Sequence, residues 1–316
     1  MKLTRQFTLH LTAIILTIVA ISTGCKQEIT RQADWEADFT NLHFVAPRHG
    51  WIVGTKGMII HTSNAGKTWE RQESGADRDF LSVYFTNTRN GWAVGDGGLI
   101  ATTGDGGRHW YLQESGSHAI LRSVYFANSN EGWIVGEGAD VLYTQDGGKL
   151  WKRHRGVSEF PLNAVNFVGK QKGWAVGGSD RILYTPDGGK RWREQTYNII
   201  KGNHRGRINE HRGVLFISPT HGWIAASDGK ILHTTNGGVE WTHQESRIPF
   251  VNGTHVPSIN TIHFANDNQG IAVANFGFIN YTKDGGENWQ LVQESGTDNN
   301  LTAAQFTGEN EAWAVG

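Results

Sequence analysis

Cysteine is nearly missing from this chain: Cys25 is the only one among 316 residues. A single cysteine excludes intramolecular disulfides, which an exported protein could otherwise use, and it excludes cysteine-cluster metal sites. An excess of either charge is missing as well, because 29 basic residues face 30 acidic ones and the formal net charge is -1. A general nucleic-acid binder would show a basic surplus, so we expect no nucleic-acid partner.

The signatures of common enzymes are also missing. The chain contains no HExxH and no GxSxG, the patterns that mark zinc proteases and serine hydrolases. A glycoside hydrolase needs two carboxylates roughly 5–10 Å apart, and no acidic residue stands out from the repeated pattern described below. We therefore expect a non-enzymatic protein that carries no metal or cofactor.

Long hydrophobic runs are limited to one mostly apolar stretch, Leu11–Ile21, which follows Lys2 and Arg5. It is too short to span a bilayer and lies where a secretory signal has its apolar core. No second such run follows, so we expect the body of the protein to lie outside the membrane, and its charge without residues 1–24 is slightly acidic.

The apolar stretch leads directly to Cys25 through Ser22-Thr23-Gly24. Small residues before a cysteine resemble a bacterial lipobox, although Ser22 stands where such motifs usually carry Leu. We expect residues 1–24 to be a lipoprotein signal peptide and Cys25 to carry a lipid anchor, in the periplasm, at the outer membrane or in a thylakoid lumen. An ordinary signal peptide followed by a chance cysteine is the alternative.

Glycine and tryptophan, with 41 and 13 residues, are abundant instead, and they recur in a repeat. The second copy reads GWAVGDGGLIATTGDGGRHW, and a short apolar segment such as FLSVYF precedes each copy. The motifs lie at 50–69, 91–110, 132–151, 173–192, 222–241 and 270–289. Their closing tryptophans are spaced by 41, 41, 41, 49 and 48 residues, and Leu301–Gly316 begins a seventh copy.

Twelve tryptophans fall at two repeat positions, and only Trp35 lies outside them. The two rows are Trp51, Trp92, Trp133, Trp174, Trp223 and Trp313, and Trp69, Trp110, Trp151, Trp192, Trp241 and Trp289. Burial of each indole removes roughly 150–250 Å² from water. A residue that recurs in every copy is more often core than ligand site, so we assign both rows to the core.

The second half of each motif reads Thr-x-(Asp/Asn)-(Gly/Ala)-Gly-x-x-Trp. Asp or Asn accepts hydrogen bonds from backbone N–H groups just ahead of it, and Gly supplies positive φ, as a hairpin turn requires. The turn lacks the complete signature of a phosphate loop and the spaced carboxylates of a calcium loop. Each copy therefore supplies about four strands, and a four-stranded unit of about 41 residues indicates an all-β protein with the β-propeller fold.

The Thr-x-Asp-x-Gly-x-x-Trp motif resembles the Asp-box, or bacterial neuraminidase repeat. With GWAVG and L-x-x-V-x-F in each copy, residues 39–316 resemble the photosystem II stability/assembly factor family. The resemblance implies a seven-bladed propeller, a lipoprotein in cyanobacteria, that assists assembly of a membrane complex. Similar propellers occur in exported proteins of many bacteria, so the repeat predicts the fold more specifically than photosynthesis.

A propeller must close its ring, or an exposed strand edge remains. We expect seven blades with an incomplete last blade or a truncated end, residues 39–316 forming six full repeats and the start of a seventh. Residues 25–38 would form a tether, and Glu28–Asp38 would be the outer strand of blade seven. Six blades plus a remnant is the alternative.

A sialidase-like hydrolase or another exported glycan-binding propeller is the alternative function. Sialidases carry an arginine triad and an Arg-Ile-Pro motif before the first Asp-box. Here Arg247-Ile248-Pro249 follows the fifth, and only Arg122 and Arg212 occupy equivalent positions on first strands, facing the central channel. Two arginines do not make a triad, so we favour a scaffold that binds a protein.

Two insertions mark the expected binding face. The connections after Trp192 and Trp241 are longer than the others and lie on the face opposite the Asp-box turns. Insertions on one face of a repeat protein often mark its binding side; a solvated loop without a partner is the alternative. The expected residues are Arg122, Lys201, His204, Arg205, Arg207, His211, Arg212, His243, Arg247 and His255. We expect a monomer that binds a membrane-protein or other protein client there.

Overall fold

The structure, a computed structural model, describes residues 15–19, 28–32, 37–138, 141–195, 198–201, 210–253, 255–292, 296–309 and 311–316, the short segments 15–19, 28–32 and 198–201 by their backbone only. These residues form β-strands joined by turns and loops, with two short 3₁₀ turns at Asp96–Gly98 and Asn275–Gly277. No helix in this part of the chain combines the length and the apolar character that a membrane crossing needs. Cys25 and Trp35 lie outside the described residues.

Six sheets follow the sequence repeat, each built on a four-stranded antiparallel meander. Strands β1 (Ile15–Val19) and β2 (Glu28–Gln32) precede them. Blades 1 to 3 contain β3 (Phe39–Ala46), β4 (His49–Gly54), β5 (Ile59–Thr62), β6 (Glu70–Gln72), β7 (Phe80–Phe85), β8 (Gly91–Gly95), β9 (Ile100–Thr103), β10 (Tyr111–Gln113), β11 (Leu121–Phe126), β12 (Gly132–Gly136), β13 (Val141–Thr144) and β14 (Lys152–His154).

Blades 4 to 6 continue the pattern. They contain β15 (Leu162–Val168), β16 (Lys172–Gly177), β17 (Ile182–Thr185), β18 (Arg193–Glu194), β19 (Asn198–Lys201), β20 (His211–Phe216), β21 (Gly222–Ala226), β22 (Lys230–Thr234), β23 (Glu240–Glu245), β24 (Ile259–Phe264), β25 (Gly270–Ala274), β26 (Ile279–Thr282) and β27 (Trp289–Leu291). β19, from the first insertion, pairs parallel with β23 and makes blade 5 five-stranded.

Aromatic stacking between neighbouring blades forms the core. Trp92 of blade 2 stacks on Phe126 of blade 3 with ring centroids 3.6 Å apart, and Trp151 meets the same phenyl ring edge-on at 5.9 Å. Five of the six second-strand tryptophans follow a glycine, and this packing requires it, because a Cβ on Gly91 would lie 2.3 Å from the ring of Phe85. The tryptophan rows are therefore core residues.

The Asp-box forms the expected hairpin turn. In blade 2 the Thr103 hydroxyl donates to Asp105 (2.9 Å) and accepts from the Gly107 N–H (2.9 Å), while the His109 N–H donates to Asp105 (3.0 Å). A hydrogen bond from the His109 side chain is the main reason that the pKa of Asp105 falls to about 2. These contacts give the carboxylate a role in the turn.

The remaining sheet combines both chain ends, in the order β2-β1-β29-β28, with β28 at Ala303–Phe306 and β29 at Glu311–Val315. We call it the composite sheet. The expectation of seven blades with an incomplete last one is wrong: the repeats build six blades, and this further sheet has four strands, two of them from before the first repeat. β1 covers the edge of β29 that would otherwise stay unpaired.

The composite sheet lies between blades 6 and 1. Trp313 of β29 packs in one apolar cluster with Phe44 of blade 1, and Ala312 packs in another with Ile271 of blade 6. Glu28–Gln32 takes the outermost position, but it pairs with β1, which occupies the place of the third strand in this sheet.

Candidate binding site at the mouth of the central channel

The propeller has two different faces. The Asp-box turns lie beside the turns that join the first and second strands, because the Gly106 N–H donates to the Arg89 carbonyl (2.9 Å) and the Gly147 N–H to the Asn130 carbonyl (2.9 Å). The connections between blades therefore lie at the other end of the channel. We call that end the loop face.

A ring of side chains lines the channel mouth on the loop face. Six of these residues are second residues of first strands and one lies directly before β28; the seven are Thr40, Leu81, Arg122, Asn163, Arg212, Asn260 and Thr302. With Glu210, Asn275 and Asn300 they surround a cavity of about 360 Å³. Residues at the same repeat position in all seven sheets thus line one polar pocket.

Ion pairs fix both arginines of this ring. Arg122 pairs with Glu137 at 2.7 Å. Arg212 pairs with Glu210 at 2.9 Å and donates to the Asn260 side chain at 3.0 Å. The Nε atoms of both arginines are buried and make no hydrogen bond to the described residues. The two guanidinium groups are therefore oriented at the mouth, while part of their donor capacity is unused.

Other members of the ring join neighbouring blades. The Asn163 amide donates to the His211 carbonyl (2.8 Å), the Asn260 amide to the Leu301 carbonyl (2.8 Å) and the Thr302 hydroxyl to the Phe39 carbonyl (3.0 Å). Arg122 makes no such bond to the next blade among the contacts found in the described chain. Of the two arginines in the ring, Arg122 is therefore the one that does not link its blade to the next.

Further along the first strands, His43, Tyr125 and His263 add no charge to the channel. Burial, and secondly the neighbouring His263, lower the pKa of His43 to about 3, and burial lowers that of His263 to about 4. Both imidazoles are therefore neutral near pH 7. The His43 Nδ1 accepts from the Phe85 N–H (3.3 Å), and the Tyr125 hydroxyl donates to the Phe167 carbonyl (2.8 Å). The charges of the channel are thus concentrated at its mouth.

The structure brings together only part of the expected basic cluster. Arg122 and Arg212 line the mouth, and His255 is exposed on the loop face beside Phe276, with ring centroids 6.2 Å apart. Lys201 ends β19 at the rim of blade 5. His204, Arg205 and Arg207 lie outside the described residues.

Three expected contact residues lie elsewhere. His211 is fully buried, because it occupies the first position of a first strand, where blade 3 has Leu121, and burial lowers its pKa to about 4. Its side chain therefore does not reach the loop face. His243 and Arg247 line a rim groove between blades 5 and 6, since β23 is the fourth strand from the channel in its blade.

The sequence reasoning missed Asn163, Asn260 and Glu210. The two asparagines occupy the same strand position as Arg122 and Arg212, so reading that position in every repeat would have found them. Glu210 is one residue before β20 and carried no signal of its own. No group of three or more His, Cys, Asp or Glu side chains within the described chain is arranged to hold a metal ion.

These features define a β-propeller with Asp-box turns and a polar cavity at one mouth of its channel. The family model described as "Photosynthesis system II assembly factor YCF48" matches residues 25–110, 75–163 and 158–297. The matches cover most of the chain, which therefore belongs to this family.

Individual relatives are similar over different extents. "Photosystem II assembly lipoprotein Ycf48" from Synechocystis sp. is 43% identical over 47 residues, so the aligned part spans only 13% of that protein and 15% of this chain. The solved YCF48 from Cyanidioschyzon merolae has a TM-score of 0.68 at 20% identity and covers 90% of this chain and 96% of its own. A YCF48 bound to D1 peptide has a TM-score of 0.69 at 18% identity, with 94% and 97% covered. At these identities the two solved structures support the fold alone.

Proposed function

We propose that this protein assists the assembly of photosystem II by binding a protein client on its loop face, without catalysing a reaction. The family match over residues 25–297 carries the proposal. The solved relative bound to D1 peptide supports a protein as the client. The sialidase-like alternative is not favoured, because Arg122 and Arg212 are the only arginines in the ring and each is paired with a glutamate.

The channel mouth is the proposed contact. A pocket whose polar groups are already oriented loses little freedom on binding, and Arg122 and Arg212 are held in place by carboxylates. Arg122 is proposed as the main contact because its side chain is 37% exposed and, among the described residues, its guanidinium bonds only Glu137. Arg212 and His255, with Lys201, His204, Arg205 and Arg207 of the insertion, are proposed to extend the face.

A pull-down tests this proposal. Tagged protein is recovered from cyanobacterial membranes and the bound D1 is measured by immunoblot, with wild type compared to Arg122→Gln. We expect bound D1 to fall by about tenfold, a loss that corresponds to about 1.4 kcal/mol. Lys149→Gln, which removes an exposed charge from the Asp-box turn of the same blade, is the matched control. Equal recovery of D1 by the two variants would reject the channel mouth as the contact.

We also propose that Cys25 carries the lipid anchor and that residues 1–24 are removed. Mass spectrometry of the mature N-terminus tests this directly, and Cys25→Ser should release the protein from membranes. Cleavage there would also remove β1, which lies between β2 and β29. Recovery of a mature chain that begins before residue 25 would reject this proposal.

A further inference from the structure

The outer edge of blade 2 differs from the other blade edges. β10 is the last strand of its sheet, and no described strand pairs with its outer side. It carries two large apolar side chains in solvent, Tyr111 at 62% and Leu112 at 51% exposure. An unpaired strand edge presents free N–H and C=O groups to any extended chain, and apolar residues make such an edge more adhesive.

A third exposed apolar residue lies next to this edge. Tyr111 and Gln113 share one face of the strand because side chains alternate, and the Gln113 side chain accepts from the Trp151 indole of blade 3 (3.4 Å). Leu150, directly before Trp151, is 58% exposed. Leu150 therefore lies next to the side of β10 that faces blade 3. We call β10 with Leu150 the blade 2 rim patch.

The corresponding edges of blades 1, 3 and 4 carry charged residues, whereas that of blade 6 is uncharged but exposes no large apolar side chain. Blade 1 has Glu70 and Arg71 at the positions of Tyr111 and Leu112, and blade 3 has Lys152 and Arg153; charged residues on an edge strand oppose the addition of further strands. The edge of blade 4 carries Arg193 and Glu194, and that of blade 6 carries Gln290 with the half-buried Leu291.

Blade 5 shows that this fold accepts a fifth strand at the rim. β19 pairs parallel with β23, opposite Glu240, Trp241 and Thr242. In blade 2 the closing Trp110 and Tyr111 correspond to Trp241 and Thr242. The place that the chain's own segment fills in blade 5 is thus taken by no described strand in blade 2, where His109, Trp110 and Tyr111 stand in place of Glu240, Trp241 and Thr242.

We propose that the blade 2 rim patch binds an extended, uncharged segment of a partner protein by strand addition to β10. Backbone hydrogen bonds would give affinity, and contacts of Tyr111, Leu112 and Leu150 with apolar side chains would give selectivity. A second copy of this chain fits less well, because a three-residue strand offers far less than the roughly 1,200–2,000 Å² that a stable interface buries. An extended peptide can instead continue along the rim past β10.

Peptide binding tests the proposal, which rests on the proposed function for its choice of probe. Overlapping peptides that cover D1 are measured against the full chain by fluorescence anisotropy. The test variant is Tyr111→Lys with Leu112→Arg, which copies the Lys152-Arg153 edge of blade 3 and so uses residues that the fold tolerates. Val239→Lys, at a side chain 61% exposed on blade 5, is the matched control.

We expect at least one peptide rich in uncharged β-forming residues to bind wild type and Val239→Lys equally, and the double variant at least about tenfold more weakly. Methylation of alternate backbone nitrogens in that peptide should abolish binding, because it removes the donors that a strand needs. Binding that survives the double variant or the methylation overturns strand addition at β10. Absence of any binding peptide overturns it as well, while capture of D1 in membranes that depends on Arg122 would still support the proposed function.

Discussion

Trp51 of blade 1 stacks on Phe85 of blade 2, with ring centroids 3.5 Å apart and ring planes 10° apart. Trp110 meets the same phenyl ring edge-on at 5.9 Å. One phenylalanine thus lies between the two tryptophan rows, and the side chains that fill one blade's core come partly from its neighbour.

Phe85→Ala should therefore lower the free energy of unfolding by about 3–5 kcal/mol, since it opens a cavity between two tryptophans. Urea unfolding followed by tryptophan fluorescence measures the change. Phe250→Ala, at a side chain 68% exposed, should change stability by less than about 0.5 kcal/mol. Similar losses from the two substitutions would contradict the role assigned to the stacked ring.

Asn280 is a buried polar group without a partner. It is fully buried in the third strand of blade 6, and neither polar atom of its amide makes a hydrogen bond within the described residues. Blade 5 has the buried Leu232 at the same position. Asn280→Leu should raise the free energy of unfolding by about 1–3 kcal/mol, because it removes an amide that is desolvated on folding without gaining hydrogen bonds in return. The reciprocal Leu232→Asn should be destabilising, and a loss of stability in Asn280→Leu would count against this explanation.

His211 should make stability depend on pH in the weakly acidic range. Its burial lowers the pKa from 6.5 to about 4, so below pH 6.5 the unfolded chain binds a proton that the folded chain does not. The stability that the neutral imidazole provides is present above pH 6.5 and is lost as pH falls towards 4.

His211→Leu, which restores the leucine of blades 3 and 4, should reduce that loss, measured as the change in Tm between pH 7 and pH 4.5. The other buried histidines retain part of the slope. The exposed His118→Leu serves as control and should leave the slope unchanged. An identical slope in His211→Leu and wild type would show that His211 does not carry this dependence.

The Asp-box carboxylates should act at lower pH. A hydrogen bond from the Arg191 side chain is the main reason that the pKa of Asp187 falls from 3.8 to about 2. Its stabilising effect is complete above the pKa of the unfolded chain and is lost as pH falls from about 3.8 to about 2. Asp187→Asn keeps the turn, since Asn64 and Asn236 occupy this position in blades 1 and 5, and it should flatten the Tm profile in that range. Arg191→Gln should flatten the Tm profile as well. If both variants lost Tm in that pH range as wild type does, the Asp187–Arg191 pair would be excluded as the cause of the loss.

The repeat predicted the four-stranded blades and their core, although not the number of blades, because its recurring residues are the ones that touch across blades. Trp92 and Gly91 recur because one stacks on the next blade's phenylalanine and the other leaves room for its own. Arg122 and Arg212 were found at the channel for a related reason: the position after the first apolar residue of an inner strand must face the axis.

Features that depend on unrepeated segments could not be predicted in the same way. β2 was expected as an outer strand, but β1 precedes the first motif and shares none of its aromatic residues, so nothing in β1 indicated a place in the composite sheet. The run Asn198–Lys201 was interpreted as part of a basic loop, although its two isoleucines favour a strand. His211 was misplaced because charged neighbours suggested a surface segment, while its register position belongs to the core.

The sheet built from both chain ends also determines where the molecule yields to force. In a chain that retains residues 1–24, a pull on the N-terminal segment would act first on β1 and β2, where β1 pairs with β29 and β2 pairs with β1. The six other sheets contain neither of these strands, so the load would not pass through their hydrogen bonds first. Tension would thus open the composite sheet before it disturbed the channel mouth or the blade 2 rim.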